Sequence, residues 1–222
     1  MSTNFRVITT IGFALVFSAM CMSPVMAQQA PETVKQPLRV IQYNGDMANI
    51  LSQLPGIYHR TIGLEVDPRH QWSTVDFYLK DPTLGDVLNA VTKSAPIYQW
   101  SDKQDFIEVV PVRGGTALLD TRISSFLVDY ADESEAINQL LNLPEVQASM
   151  TAMRLRNKNT PNPLAAGSGK KMSFAVQNVT IRQVLNKIAN ENGSRFWIMK
   201  RNIGGLFSIG TVPNLSLAQL SE

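Results

Sequence analysis

Asp67, His70 and Ser73 are the nearest this chain comes to an acid, base and nucleophile set. A serine hydroxyl attacks only when an imidazole stands within hydrogen-bond reach and a carboxylate orients that imidazole. Here all three share one loop, and nothing in their spacing sets them against one another. His59 and His70 are the only histidines, and they lie in a polar, proline-containing stretch. No second ligand pair follows at helical or hairpin spacing, so two surface histidines are the better reading than a metal ligand or a base. The single cysteine, Cys21, lies within an apolar N-terminal stretch. Zinc sites, disulfide frameworks and cysteine nucleophiles are therefore poorly supplied. Gly114-Gly115 and Gly204-Gly205 lack the spacing and the lysine of a phosphate loop and read as turns. The expectation is a protein that is not an enzyme and has no cofactor and no metal site.

The elements that would position any site follow from composition and pattern. A chain with 44% hydrophobic and 17% charged residues can bury a core, which excludes disorder as a description of the whole. A net charge of +2 supplies no field for nucleic acid or anionic lipid. Arg6 precedes an apolar run, Val7 to Met20, and the small residues Val25 and Ala27 stand just before Gln28. That is the pattern of a cleaved signal peptide over 1–27, leaving no stable membrane span afterwards. Two rival readings are a retained anchor and a lipoprotein modified at Cys21. The expected compartment is the bacterial periplasm or the exterior, because an exported chain without disulfides suits a bacterial envelope.

Sliding the sequence along itself aligns Phe77–Trp100 with Phe174–Trp197 without a gap. Phe77/Phe174, Thr83/Thr180, Val87/Val184, Leu88/Leu185, Asn89/Asn186 and Trp100/Trp197 are identical, and Asp81/Asn178 is a near match. Val75, Phe77 and Leu79 alternate as a half-buried strand, as do Met172, Phe174 and Val176. Thr83 and Thr180 each precede an acid or amide by three residues and then an apolar stripe, so each predicts a capped helix. Two strands follow in each copy, over Ile97–Trp100 and Phe106–Val110, and over Phe196–Met199 and Leu206–Thr211. A shorter strand and helix lead each copy: Leu38–Tyr43 with Asp46–Leu54, and Ile123–Tyr130 with Asp132–Leu141. Pro55 and Pro144 follow these helices. Ile62–Val66 alternates as one more strand in the first copy and has no clear counterpart in the second. There, Ala148–Lys171 carries Arg154, Arg156, Lys158, Lys170 and Lys171 together with prolines and glycines, which is loop chemistry.

The expected fold class is α+β, as two small tandem domains of β-α-β/β-α-β-β type. The boundaries are 38–111 for the first domain, 112–122 for a linker, 123–213 for the second domain with its basic loop at 148–171, and 214–222 for a tail.

Residues 38–111 resemble the short N-terminal domain of secretins and TonB-dependent transducers. The match rests on the leading strand and helix, on Leu64-Glu-Val-Asp-Pro68, and on Val75 to Ala90 with its Thr83-Leu84 helix start. Residues 123–142 with 171–213 resemble a second, divergent copy. The resemblance implies docking to an envelope or secretion-system protein, among secretion, pilus or TonB-linked signalling components. Pore formation and transport by these residues alone are not expected. Candidate partner-binding residues are Phe106, Val109 and Phe207 on the closing strands and Trp197 on the strand before the second of them, with Arg154, Arg156 and Lys158 in the basic loop. The two closing strands are the candidate free edges for strand addition. The rival function is a periplasmic hydrolytic or ligand-binding protein that uses a cleft between the domains, and polar groups converging on Asp67, His70 or Glu108 would favour it. A third possibility is a homo-oligomer.

Overall fold

A computed structural model describes residues 40–69, 73–113, 115–158 and 170–211. The expected signal peptide, residues 1–27, His70, residues 159–169 of the basic loop and the expected tail, 214–222, lie outside the described residues. Among the described residues, no helix is long and apolar enough to cross a membrane.

In the first half, β1 (Val40–Asp46) leads into α1 (Met47–Tyr58). The Asp46 carboxylate caps the helix by accepting from the Ala48 and Asn49 amides at 2.8 and 3.1 Å. Pro55 does not end the helix as expected. It is buried in the last turn, and His59, in the left-handed region at φ 55°, closes the helix by donating its amide to the Pro55 carbonyl. β2 (Thr61–Val66), β3 (Thr74–Lys80), α2 (Leu84–Ser94), β4 (Tyr98–Asp102) and β5 (Phe106–Pro111) complete this half. The helices α1 and α2 fill the space between a β1–β3 pair and the β4–β5–β2 strands, around Leu51, Leu54, Ile62, Leu64, Val87, Leu88 and Val109.

The second half repeats the plan. A short 3-10 turn, Ala117–Asp120, precedes β6 (Arg122–Ala131), α3 (Glu133–Leu141), α4 (Pro144–Ala152) and β7 (Arg156–Asn157). Then come β8 (Met172–Thr180), α5 (Ile181–Asn192), β9 (Phe196–Arg201) and β10 (Leu206–Thr211). A β6–β8 pair covers one side of its core, and β9, β10 and β7 cover the other.

The repeated residues do the same work twice. Thr83 with Asp86 and Thr180 with Gln183 form reciprocal capping boxes at the starts of α2 and α5. Asp81 and Asn178 both take positive φ, 45° and 53°, where the strand turns into the helix; a short polar side chain tolerates that region best. Trp100 Nε1 donates to Asn89 Oδ1 at 2.9 Å, and Trp197 Nε1 donates to Asn186 Oδ1 at 2.6 Å.

Two expectations change. The basic segment opens as helix, since α4 runs to Ala152 from Pro144 at its first position, where proline's missing N–H has no intrahelical partner to lose. After it, β7 supplies the counterpart of β2 for which the second copy shows no sequence signal. It lies parallel to β10 as β2 lies parallel to β5, but over two residues only, too short for a periodic signal.

The larger change concerns domains. The repeats at 38–111 and 123–213 are not separate bodies, because β2 pairs in parallel with β9, Ile62 opposite Phe196 through Val66 opposite Lys200. One six-stranded sheet, in the order β4-β5-β2-β9-β10-β7, runs through both halves. The expected linker is part of the packing as well: Leu118 and Leu119 are fully buried in the second core. Phe196 and Ile198 of β9 enter the first core while Trp197 and Met199 enter the second, so the helices of the first half and those of the second lie on opposite faces of the shared sheet.

Candidate functional site

Two places in this frame carry unspent chemistry: a polar cluster at the junction of the halves, and the outer strand of the sheet.

The cluster forms on the face of the first half turned away from α1 and α2. Period-2 alternation puts Ile62, Leu64 and Val66 of β2 into the first core, which turns Gly63 and Glu65 the other way. Glu108 of β5 lies opposite Gly63 and shares that face. Arg182, in the first turn of α5, reaches over both strands. Its Nη1 lies 2.5 Å from Glu108 Oε1, and its Nη2 lies 3.2 Å from Asp120 Oδ1 and 4.0 Å from Glu65 Oε2. Lys103 Nζ stands 3.7 Å from Glu108 Oε2. The Thr116 amide donates to Glu65 Oε1, while Glu65 Oε2 has no hydrogen-bond partner among the described residues. These groups line a cavity of about 480 Å³.

Glu65 is 3% exposed. Burial pushes its carboxyl up from 4.5 to about 7, against the Thr116 hydrogen bond and the positive fields of Arg182 and Arg201, with Asp120 adding to the rise. A carboxyl of that kind beside a cavity can carry a proton near neutral pH, which is the property of an acid–base group. Its neighbours also spend that capacity on structure. Arg182 comes from the second half, Thr116 from the segment between the halves, and Glu65 and Glu108 from the first half, so the cluster ties the halves together.

A second cavity, about 620 Å³, opens where β5, β2 and β9 end, the carboxyl ends of the three parallel strands. Asp67 and Arg69 line it, but the Asp67 carboxylate accepts from the Arg69 amide at 2.7 Å and so shapes its own turn. Among the described residues no group of three or more His, Cys, Asp or Glu is placed to hold a metal ion. His59 is exposed at the end of α1, and His70 lies outside the described residues.

The candidate partner-binding residues separate into two sets. Phe106, Val109, Trp197 and Phe207 are buried, at 8, 0, 0 and 1% exposure. Their strands are not edges: β5 lies between β4 and β2, and β10 lies between β9 and β7. Val109 is flanked on both sides, by Leu64 and by Trp100. Arg154, Arg156 and Lys158 are exposed, but they surround β7 and so belong to an outer edge.

The edge opposite is β4. No strand of the described residues pairs with it on its outer side. Lys103 N–H donates to the Phe106 carbonyl and Val112 N–H donates to the Ile97 carbonyl. Alternation between these bonds turns the amides of Gln99 and Ser101 toward β5 and those of Trp100 and Asp102 outward.

Of the residues on which converging polar groups were expected to favour a ligand site, Glu108 has them, from Arg182, Lys103 and Ser101. Glu65 and Arg182 were not legible in the sequence: they have no motif spacing, and the usable signal was two acids placed within strands whose other face is wholly apolar. The outer strand was hidden because strand order depends on which residues meet across the halves.

Comparison with protein-family models, with curated proteins and with solved structures finds no match to this chain.

Proposed function

We propose that this is a non-catalytic, exported envelope protein that recruits another envelope or secretion-system protein by adding a strand to its sheet. The observation that carries the proposal is β4, an outer strand whose Trp100 and Asp102 amides point away from the sheet. Unpaired main-chain groups on an edge are a template for an incoming strand, and natural proteins blunt the edges they do not use. The far edge of this sheet is blunted in that way: β7 has two residues, and Arg154, Arg156 and Lys158 stand around it. β4 has five residues and the half-buried Trp100. The signal-peptide pattern over 1–27 and the resemblance of both repeats to secretin and transducer N-terminal domains support the same reading.

A photoreactive residue in place of Gln99, in cells of the native host, tests it. The expected result is a crosslink to an envelope protein that the same group at Lys93, exposed on α2, does not give. Equal products at both positions, or none at Gln99, would remove the reading. Export is tested by the mass of the N-terminus, expected to begin at Gln28.

The Glu65–Glu108–Arg182 cavity favours a second reading, a small-ligand or hydrolytic site. Loss of cellular function in Glu65→Gln, with crosslinking at Gln99 intact, would select it.

A further inference from the structure

The molecule contains an occupied copy of the open β4 edge. β9 is the repeat counterpart of β4, with Trp197 standing where Trp100 stands, each tied to the equivalent asparagine of its own helix. The outer side of β9 is filled by β2, in parallel, with the Ile62 amide donating to the Arg195 carbonyl at 2.9 Å. Gly63 falls opposite Trp197. The indole lies so close over this glycine that a Cβ there would come within 2.2 Å of its Cζ2 atom. Trp197 is fully buried as a result, whereas Trp100 is only partly covered.

We infer that the outer side of β4 receives an extended segment of another protein, running parallel to β4 and placing a glycine opposite Trp100. This rests on the interaction reading above and specifies its partner.

The orientation and the glycine come from the β2–β9 joint. That the occupant is a bare strand, and not a second copy of this chain, comes from the opposite face of the same strands. At the joint, β9 turns Phe196 and Ile198 into the core of the first half, where they pack with the residues of α1. The corresponding residues of β4 are Gln99 and Ser101. Ser101 already donates to Glu108, but a second copy docking through the same joint would bring a helix layer over the exposed Gln99 and bury its amide with no partner supplied, which costs stability. An extended segment carries no such layer and leaves Gln99 in water. Of the strands in the same sheet of a second copy, β2 is already paired with β9, β7 has two residues, and the open β4 would meet this one antiparallel across a two-fold axis, not parallel as at the joint.

The probe is the peptide Arg-Thr-Ile-Gly-Leu-Glu-Val-Asp, the sequence of residues 60–67, added to the full chain, with a version carrying Val for Gly as its pair. Amide hydrogen exchange at Trp100 and Asp102 is followed. The glycine peptide should slow exchange at both amides about fivefold or more, and the valine peptide should leave them unchanged. In Trp100→Ala the discrimination should disappear, with both peptides protecting the Asp102 amide equally. Equal protection by both peptides in the natural chain would overturn the glycine rule while leaving strand addition, and with it the proposed function, in place. Protection that rises with protein concentration in the absence of peptide would replace the partner strand by a second copy. Protection by neither peptide overturns the inference, and coupled with no crosslink at Gln99 it removes the proposed function too.

Discussion

Trp100 and Trp197 share a sequence position, a strand and a hydrogen-bond partner, yet one is partly exposed and the other fully buried. The difference comes from what lies on the outer side of the strand, which for Trp197 is Gly63 of the other half. Duplication of a small α+β unit supplies two outer strands of the same type. Fusion of the halves uses one of them and leaves the other. The two helix starts differ along the same line. Gly85 stands in α2 where Arg182 stands in α5, and Arg182 pairs with Glu108 of the first half and Asp120 of the segment between the halves. Equal sequences thus keep local structure equal, while the environment assigns them different tasks.

Truncating the two indoles gives the sharpest break in the comparison. Trp197→Ala should cost about 3–5 kcal/mol in denaturant unfolding, as large buried aromatics do. Trp100→Ala should cost about 1–2 kcal/mol, since part of that ring already meets water. Equal losses would mean that Trp100 is covered in solution.

Gly63→Val tests the joint directly. The new side chain must displace a buried ring, so a loss of about 3 kcal/mol or more is expected. Gly85→Ala, whose nearest neighbour would lie at 3.7 Å, should change stability by less than about 1 kcal/mol. A tolerated Gly63→Val would show that β2 and β9 do not meet as described.

The cluster at the junction responds to pH. Glu65 holds its proton more tightly in the folded chain, near 7, than its ordinary 4.5. Between those values the folded state binds more protons than the unfolded one, so stability falls as pH rises. Glu65 therefore imposes no penalty below pH 4.5 and its full penalty above pH 7, about 3 kcal/mol at most. Glu65→Gln should flatten the stability profile between pH 4.5 and 7 and raise stability at pH 8. A Gln variant that is less stable at pH 8 would show that the charge on Glu65 is needed to hold Arg182.

The smallest effects should be the most alike. Thr83→Ala and Thr180→Ala each remove one capping box and should each cost about 1 kcal/mol. Unequal costs would indicate that one cap also carries tertiary contacts.

The sequence by itself determined what is local. Thr83 and Thr180 identified their helix starts because a cap involves a residue and its third neighbour, and Val75 to Leu79 identified a strand because alternation needs no partner. The repeat predicted that both halves share a plan, and the reason is now visible in the Asn89–Trp100 and Asn186–Trp197 bonds. Tertiary structure alone decided what depends on residues distant in the chain meeting. It placed Phe106–Val110 inside the sheet and not at its edge, because β2 has two partners, β5 and β9. It made one body of two expected domains, because Phe196 and Ile198 bury more apolar surface in the first core than they could on a free strand. It also assembled Glu65, Glu108 and Arg182 from β2, β5 and α5: charge pairing acts through space, and no spacing along the chain records it.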